Sequence, residues 1–362
     1  MELLDLATKL VNFKSYKGHK ELDECLDFCV NYFSGYPVTV NQYESNGVRS
    51  IVVQTQNTLT PDVLMLGHVD VISAPDELFT TRVENGRLYG LGSLDMKAYV
   101  ATSLKAFVEL LDEGFQGSIA LVLVSDEETG GHFGTNYIVN TLGYRPKLVL
   151  VPDDGGHIDK IVVETKHIMQ LTFNAVGTYA HACEPWLGSS AIAALMRTYT
   201  KLEDKFMQAG SNQPHLSTIN LGTIQGGVAT NEVPAEAAMT VDIRFPDTMS
   251  RDEAIQAIKE ALAPGVSYRI DTEGYPVGID PSHPALQLYA AELRGVTGRE
   301  PKYTQSGGGT DGRYFARHNI PVITHQGHGG NCQAVDEYVE IESLHTMVQV
   351  YKQFISKFTR SV

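Results

Sequence analysis

"SIALVLVSDEETGG", residues 118–131, sets an apolar run from Ile119 to Val124 directly before Asp126, Glu127 and Glu128. A run of Ile, Ala, Leu and Val without polar alternation reads as a strand covered on both faces, as in a mainly parallel sheet. Carboxylates are rarely taken inside a protein without a counterpart. No Lys or Arg stands within ten residues on either side of these three acids. The stretch implies an α/β fold and leaves open what neutralises its acidic end.

Working outward, the same texture recurs. "DVLMLGHVDV" (62–71) and "KLVLVP" (147–152) are near-continuous apolar strands, "SIVVQTQ" (50–56) is another, and "IPVITH" (320–325) a fourth. Helices alternate with them. One runs from Glu2 to about Asn12 with Leu3, Leu4, Ala7, Leu10 and Val11 on one stripe, and another covers about 20 to 33. "SLDMKAYVATSLKAFVELLDEG" (93–114) turns Val100, Leu104, Phe107, Val108 and Leu111 inward. After Asp154 the pattern changes. "HIMQLTFNAVG" and "AAMTVDIRF" alternate as strands covered on one side, and "SSAIAALMRTYTKLEDKF" and "SRDEAIQAIKEALA" are amphipathic helices. This β-α-β-α segment predicts an α+β domain over 160–272, inserted into a larger α/β domain made of 1–159 and 273–362. In the last part a helix to about Thr297 and a closing helix over 343–357 resume the first pattern.

The chain has 362 residues, enough for two domains and a large core. Its 43% hydrophobic and 20% charged residues are an ordinary globular mix. A formal net charge of −15 argues against nucleic acid or an anionic membrane as partner. "MELLDLATKLVNF" has no basic region or cleavage site of a signal peptide, and no apolar stretch approaches a spanning helix. Four cysteines, two of them at the helical spacing of "ECLDFC", are too few for a disulfide framework. A cytoplasmic protein is expected.

Polar residues gather where the buried strands end. His68 and Asp70 follow "VLMLG" and, two apart in extended chain, point to one side. Glu127 and Glu128 follow "LVLVSD", Asp153 and Asp154 follow "LVLVP", and Asp95 stands where a loop enters a helix. Taken singly, Asp95 reads as a helix N-cap, His68 as a structural histidine, and both acidic pairs as turns. Taken together, they lie beyond the carboxyl ends of the strands, where open α/β sheets bind ligands. One His and several carboxylates meeting there need a divalent cation, or two sharing a carboxylate, because like charges oppose one another's ionisation. An oxygen-rich set with imidazole and no thiolate favours Zn, with Mn or Co possible. A carboxylate not used as ligand can take a proton from water attacking a carbonyl.

"GHVDV", "GLGSLDMK", "DEETGG", "GTYAHACEPWLGSSAI", "TNEVP", "DIRFP", "GGGTDGR" and "AVDEYV" resemble, in order and spacing over about 60 to 340, the M20 family of metallopeptidases and amidohydrolases. The resemblance implies His68 on one metal, with Asp70 orienting it and Asp95 bridging two metals. It also implies Glu127 as general base, Glu128 on the second metal, and Asp153 on the His68 metal with Asp154 as the neighbouring choice. The 160–272 segment resembles the family's lid and dimerisation domain. There His181 corresponds to the histidine that reaches a partner subunit's site and stabilises the oxyanion. Asn231, Arg244 and the Gly309 loop resemble substrate-binding positions; Arg244 could instead pair with Asp242, and Asp311 with Arg313. The family's last ligand, a His, falls on Gln333, with His328, His325 and Cys332 nearby. One or two ions per chain are therefore open.

The expected activity is hydrolysis of the amide bond of an N-acyl amino acid or short peptide by metal-activated water, in a homodimer. An aminopeptidase or carboxypeptidase of the same fold is the nearest alternative. A non-catalytic binding protein with a degraded second metal site is the other, against which Glu127 and His181 speak.

Overall fold

The computed structural model describes residues 1–210, 213 and 215–361. It divides into two compact units. One comprises Met1–Glu164, Val277–Gln305 and Thr310–Val362; the other comprises Thr165–Pro276 and Ser306–Gly309.

The first unit is built on an eight-stranded sheet. Its centre is the parallel set Ile119–Val124, Val63–His68, Leu148–Val151 and Val322–Thr324, paired in that order. Val48–Gln54 and Thr39–Ser45 extend one side antiparallel. On the other side lie Lys160–Glu164, paired antiparallel to Val322–Thr324, and Lys302–Gln305. Every residue of the first three central strands is buried, and strand alternation splits them between two cores. Met65, Leu121, Leu123 and Leu150 join one cluster with the helices Leu3–Val11, Lys97–Asp112, Pro284–Thr297 and Ile341–Ser361. Leu64, Leu66, Val122, Val124, Val149 and Val151 join the other, with Tyr314 and Phe315. Each such side chain removed from water contributes about 1.5–3 kcal/mol. The central strands are therefore the rigid part of the unit.

Lys97, fully buried at the start of its helix, donates through Nζ to the carbonyls of Val11 and Phe13 and to Ser15 Oγ. Burial pushes its ammonium down to about 8. A small sheet of Arg82–Glu84, Arg87–Tyr89, Gly329–Gly330 and Tyr338–Glu340 completes the unit.

The second unit has a four-stranded antiparallel sheet in the order Thr218–Gly226, Glu236–Phe245, His167–Val176, Val266–Gly274. Two helices, Ala191–Phe206 and Arg251–Ala261, bury their apolar stripes against it. Ser190 caps the first through Ala193 N–H, and Ser250 with Glu253 forms a capping box on the second. The β-α-β-α expectation misses two strands. Thr218–Gly226 is largely exposed, and Val266–Gly274 alternates half-buried with exposed residues, so neither carries an apolar run. Among the described residues no helix is long and apolar enough to cross a membrane.

Candidate active site

Because the central strands are parallel, their carboxyl ends open at one edge. His68 is the last residue of its strand, Asp126 to Glu128 follow Val124, and Asp153 follows Val151. Asp95 comes from the loop before Lys97–Asp112. That helix is capped at Met96 with no side-chain bond, so the Asp95 carboxylate is not spent as a cap. His68, 1% exposed, places Nε2 3.1 Å from Asp95 Oδ1 and 3.4 Å from Asp153 Oδ1. Ligand atoms of His68, Glu127 and Asp153 all lie within 4.8 Å of one another. Asp154 instead closes a turn, accepting from Gly155 N–H at 2.7 Å.

Asp70 meets His68 with its backbone carbonyl and, at longer range, with its carboxylate. His68 Nδ1 donates to the Asp70 carbonyl at 2.9 Å, while the nearer carboxylate oxygen is 3.5 Å away. The carboxylate also accepts the N–H groups of Glu127 and Glu128 at 3.2 and 3.0 Å. Those amides start the short turn Glu127–Thr129 and lack carbonyl partners there, so Asp70 fixes both acids.

The residues named for the last ligand lie apart in their contacts. His328 packs its ring edge-on against His157 at 4.3 Å, and buried His325 meets the Tyr289 hydroxyl and the Ile158 carbonyl. Gln333 stands at the position of the last ligand: its Nε2 lies 3.0 Å from Asp95 Oδ2 and from both Glu128 oxygens.

Two anchoring residues were not singled out in the sequence for these tasks. Glu337, 1% exposed, accepts N–H groups from Gly92, Leu94, Asp95 and Gln333. Arg313, 8% exposed, lies 3.1 Å from Asp311 and 3.8 Å from Glu127, and donates to the Gly130 carbonyl at 2.9 Å. Arg313 and His68 are the cations of the acidic corner, supplied from far along the chain. Asp126 is held by Phe133 and Gly134 N–H. Gly131, at φ 62°, has no room for a Cβ because Asp311 fills that space.

Burial pushes the Glu127 carboxyl well above the usual range, with Asp153 adding to it and His68 and Arg313 opposing. Burial likewise raises Glu128 to about 8 and Asp153 to about 7, the latter against the pull of His68. Burial disfavours the His68 imidazolium, but Asp153, Asp70 and Asp95 outweigh it and hold that pKa well above 6.5. A buried imidazole between carboxylates is a donor set that fits one divalent cation.

The sequence from 64 to 357 matches the model of peptidase family M20/M25/M40. The chain belongs to this family. Its M20 relatives include the succinyl-diaminopimelate desuccinylase of Sulfurovum sp., 26% identical over 376 residues and covering 99% of this chain and 100% of that protein. The enzyme of the same name from Roseobacter denitrificans is 29% identical over 314 residues, covering 82% and 81%. Among solved structures, aminopeptidase PepT from Bacillus cereus superposes with a TM-score of 0.81 at 19% identity, covering 98% of each chain. An M20 metallo-carboxypeptidase from Sulfolobus solfataricus does so at 0.82 and 16%, covering 99% and 100%. This M20 chain is therefore an enzyme of the amidohydrolase and peptidase type, with the fold of these peptidases.

The remaining expected site residues lie in the second unit. His181 is exposed, pairs across strands with Glu232, and accepts through Nδ1 from Cys183 N–H. Asn231 accepts Ala182 N–H on its carbonyl. Arg244 bonds Asp242 at 3.1 Å, the pairing weighed from the sequence, and the Gly307 carbonyl at 2.6 Å, which ties it to the half-buried loop holding Gly309.

Proposed function

We propose that this enzyme hydrolyses the amide bond of a small N-acyl amino acid or short peptide. The observation that carries the reading is the convergence of buried His68 with half-buried Glu127 and Asp153 at the strand ends of a chain in this family. His68, Asp95 and Asp153 would hold a zinc ion, with cobalt or manganese as substitutes. When bound, the ion polarises the carbonyl and makes water more acidic.

Glu127 accepts the proton of the attacking water and passes it to the departing amine nitrogen. A raised pKa suits a carboxylate that must both take and give a proton near neutrality. Arg313 and Asp70 keep Glu127 from turning away. Arg244, beside the 306–309 loop, is proposed to bind the carboxylate end of the substrate. His181 is proposed to stabilise the oxyanion from a partner subunit. The second unit supports self-association: Tyr179, Trp186, Leu187, Met196 and Val228 are exposed apolar side chains, and Thr218–Gly226 is an edge strand. Sedimentation showing a fully active monomer refutes the partner-supplied His181. Four free thiols suit the cytoplasm as its compartment, and secretion in the native host would refute that assignment.

The test of the reaction is a panel of N-succinyl and N-acetyl amino acids with di- and tripeptides, given to the zinc-loaded protein. Release of free amino acid is expected from one class. A loaded, folded protein that turns over none of them refutes the proposal and leaves a binding role.

A further inference from the structure

We infer that this protein holds a single ion, and that the Gln333 carboxamide replaces the second. The inference rests on the reading that His68, Asp95 and Asp153 form the ion site.

The two carboxylate oxygens of Asp95 face different ways. Oδ1 is 3.1 Å from His68 Nε2, and Oδ2 is 3.0 Å from Gln333 Nε2. The same nitrogen is 3.0 Å from Glu128 Oε1 and 3.0 Å from Oε2. Gln333 Nε2 thus lies between the two carboxylates that a second ion would have to share. An amide nitrogen bearing two hydrogens has donors and no available lone pair, so it cannot be a ligand. One hydrogen serves Asp95 and the other is shared by the two oxygens of Glu128.

The orientation follows from the chemistry. Turning the amide over would set its carbonyl oxygen against the ionised Asp95 Oδ2, a contact with no hydrogen in it, and would withdraw the donor shared with Glu128. The backbone also commits the residue. Gln333 has φ 55°, in the left-handed region, and its N–H is held by Glu337 Oε2 at 3.1 Å. Glu337 simultaneously holds Asp95 N–H, so one carboxylate sets the spacing between Gln333 and Asp95. Cys332 Sγ lies 3.4 Å from Asp95 Oδ2 as a thiol donor, which further occupies that oxygen. Where histidine would offer a lone pair to a cation, this chain offers hydrogens to the carboxylates themselves. Asp95 is then a ligand to one ion, not a bridge between two.

The test is ion content, independent of turnover. Protein saturated with zinc and passed over a chelating resin is analysed by mass spectrometry of the metal. One zinc per chain is expected for the unaltered protein, none for His68→Ala, and two for Gln333→His. Circular dichroism establishes folding of each variant, and the unaltered protein decides the matter even if Gln333→His fails to fold. Two tightly held ions in the unaltered protein overturn the inference while leaving the proposed reaction standing. If one of the two is then lost in Cys332→Ala, the thiol is the ligand instead. No ion at all overturns both readings. A single ion that survives His68→Ala and disappears in Glu128→Ala also overturns the inference, because the ion would then occupy the Gln333 side.

Discussion

On one side of Asp95, His68 ends a fully buried strand at 1% exposure, locked by a carbonyl two residues on. On the other side, Gln333 sits in an exposed loop with a left-handed backbone, its side chain spread over two carboxylates. The first side inherits its geometry from the sheet, since parallel strands deliver their ends to one edge. The second is set by a loop and by the buried acid that ties it down. A site shared between a rigid element and a loop can exchange its loop residue and keep its core chemistry. The difference between histidine and glutamine at position 333 is of that kind.

The largest expected effect tests the rigid side. Glu127→Gln removes the proton acceptor without removing a ligand of the His68 ion, so turnover should fall by about 10²- to 10⁴-fold with zinc content unchanged. Gln333→Ala should cost far less in turnover. A Gln333→Ala loss equal to that of Glu127→Gln would break the asymmetry. Next, Glu337→Ala reaches both sides, because it strands the N–H groups of Gly92, Leu94, Asp95 and Gln333. Exposing unpaired donors of this kind costs about 1–3 kcal/mol each when they stay buried. Thermal denaturation should show a clear loss of stability, together with weaker zinc binding. Unchanged melting and affinity would show that the loop holds itself.

A smaller effect concerns pH. The folded-state pKa values of Asp153 and Glu128 are raised, to about 7 and about 8. In the zinc-free protein these groups therefore stabilise the fold below their unfolded values. That contribution is lost as pH rises through the folded values. Zinc bound by His68 and Asp153 must displace their protons, so its affinity should increase as pH rises through about 7. Calorimetry in buffers of different ionisation enthalpy should register proton release on zinc binding. Affinity independent of pH would mean that the carboxylates are already ionised.

The sheet was legible because Ile119–Val124, Val63–His68 and Leu148–Val151 carry no polar side chain except His68 at the end of its strand. Val266–Gly274 was not, since one exposed face dilutes its pattern and Arg269, Asp271 and Glu273 read as surface. Among the site residues, acids at strand ends could be found because their position type repeats. Glu337 could not: its counterparts are backbone N–H groups, which every residue has, so no charged residue nearby betrays it. Arg313 could be paired with Asp311 from the sequence, but not with Glu127, to which it is close only in space.

The bonds of Glu337 also bear on when the site can exist. They join the 92–95 loop to a residue more than 240 positions later. During synthesis the strands carrying His68, Glu127 and Asp153 emerge first, yet the loop bearing Asp95 lacks its three bonds to Glu337 until the chain has grown past that residue. A polypeptide halted before that point would carry most of the acids and lack the means of spacing them. The spacing of the proposed ion site is thereby coupled to the emergence of residue 337.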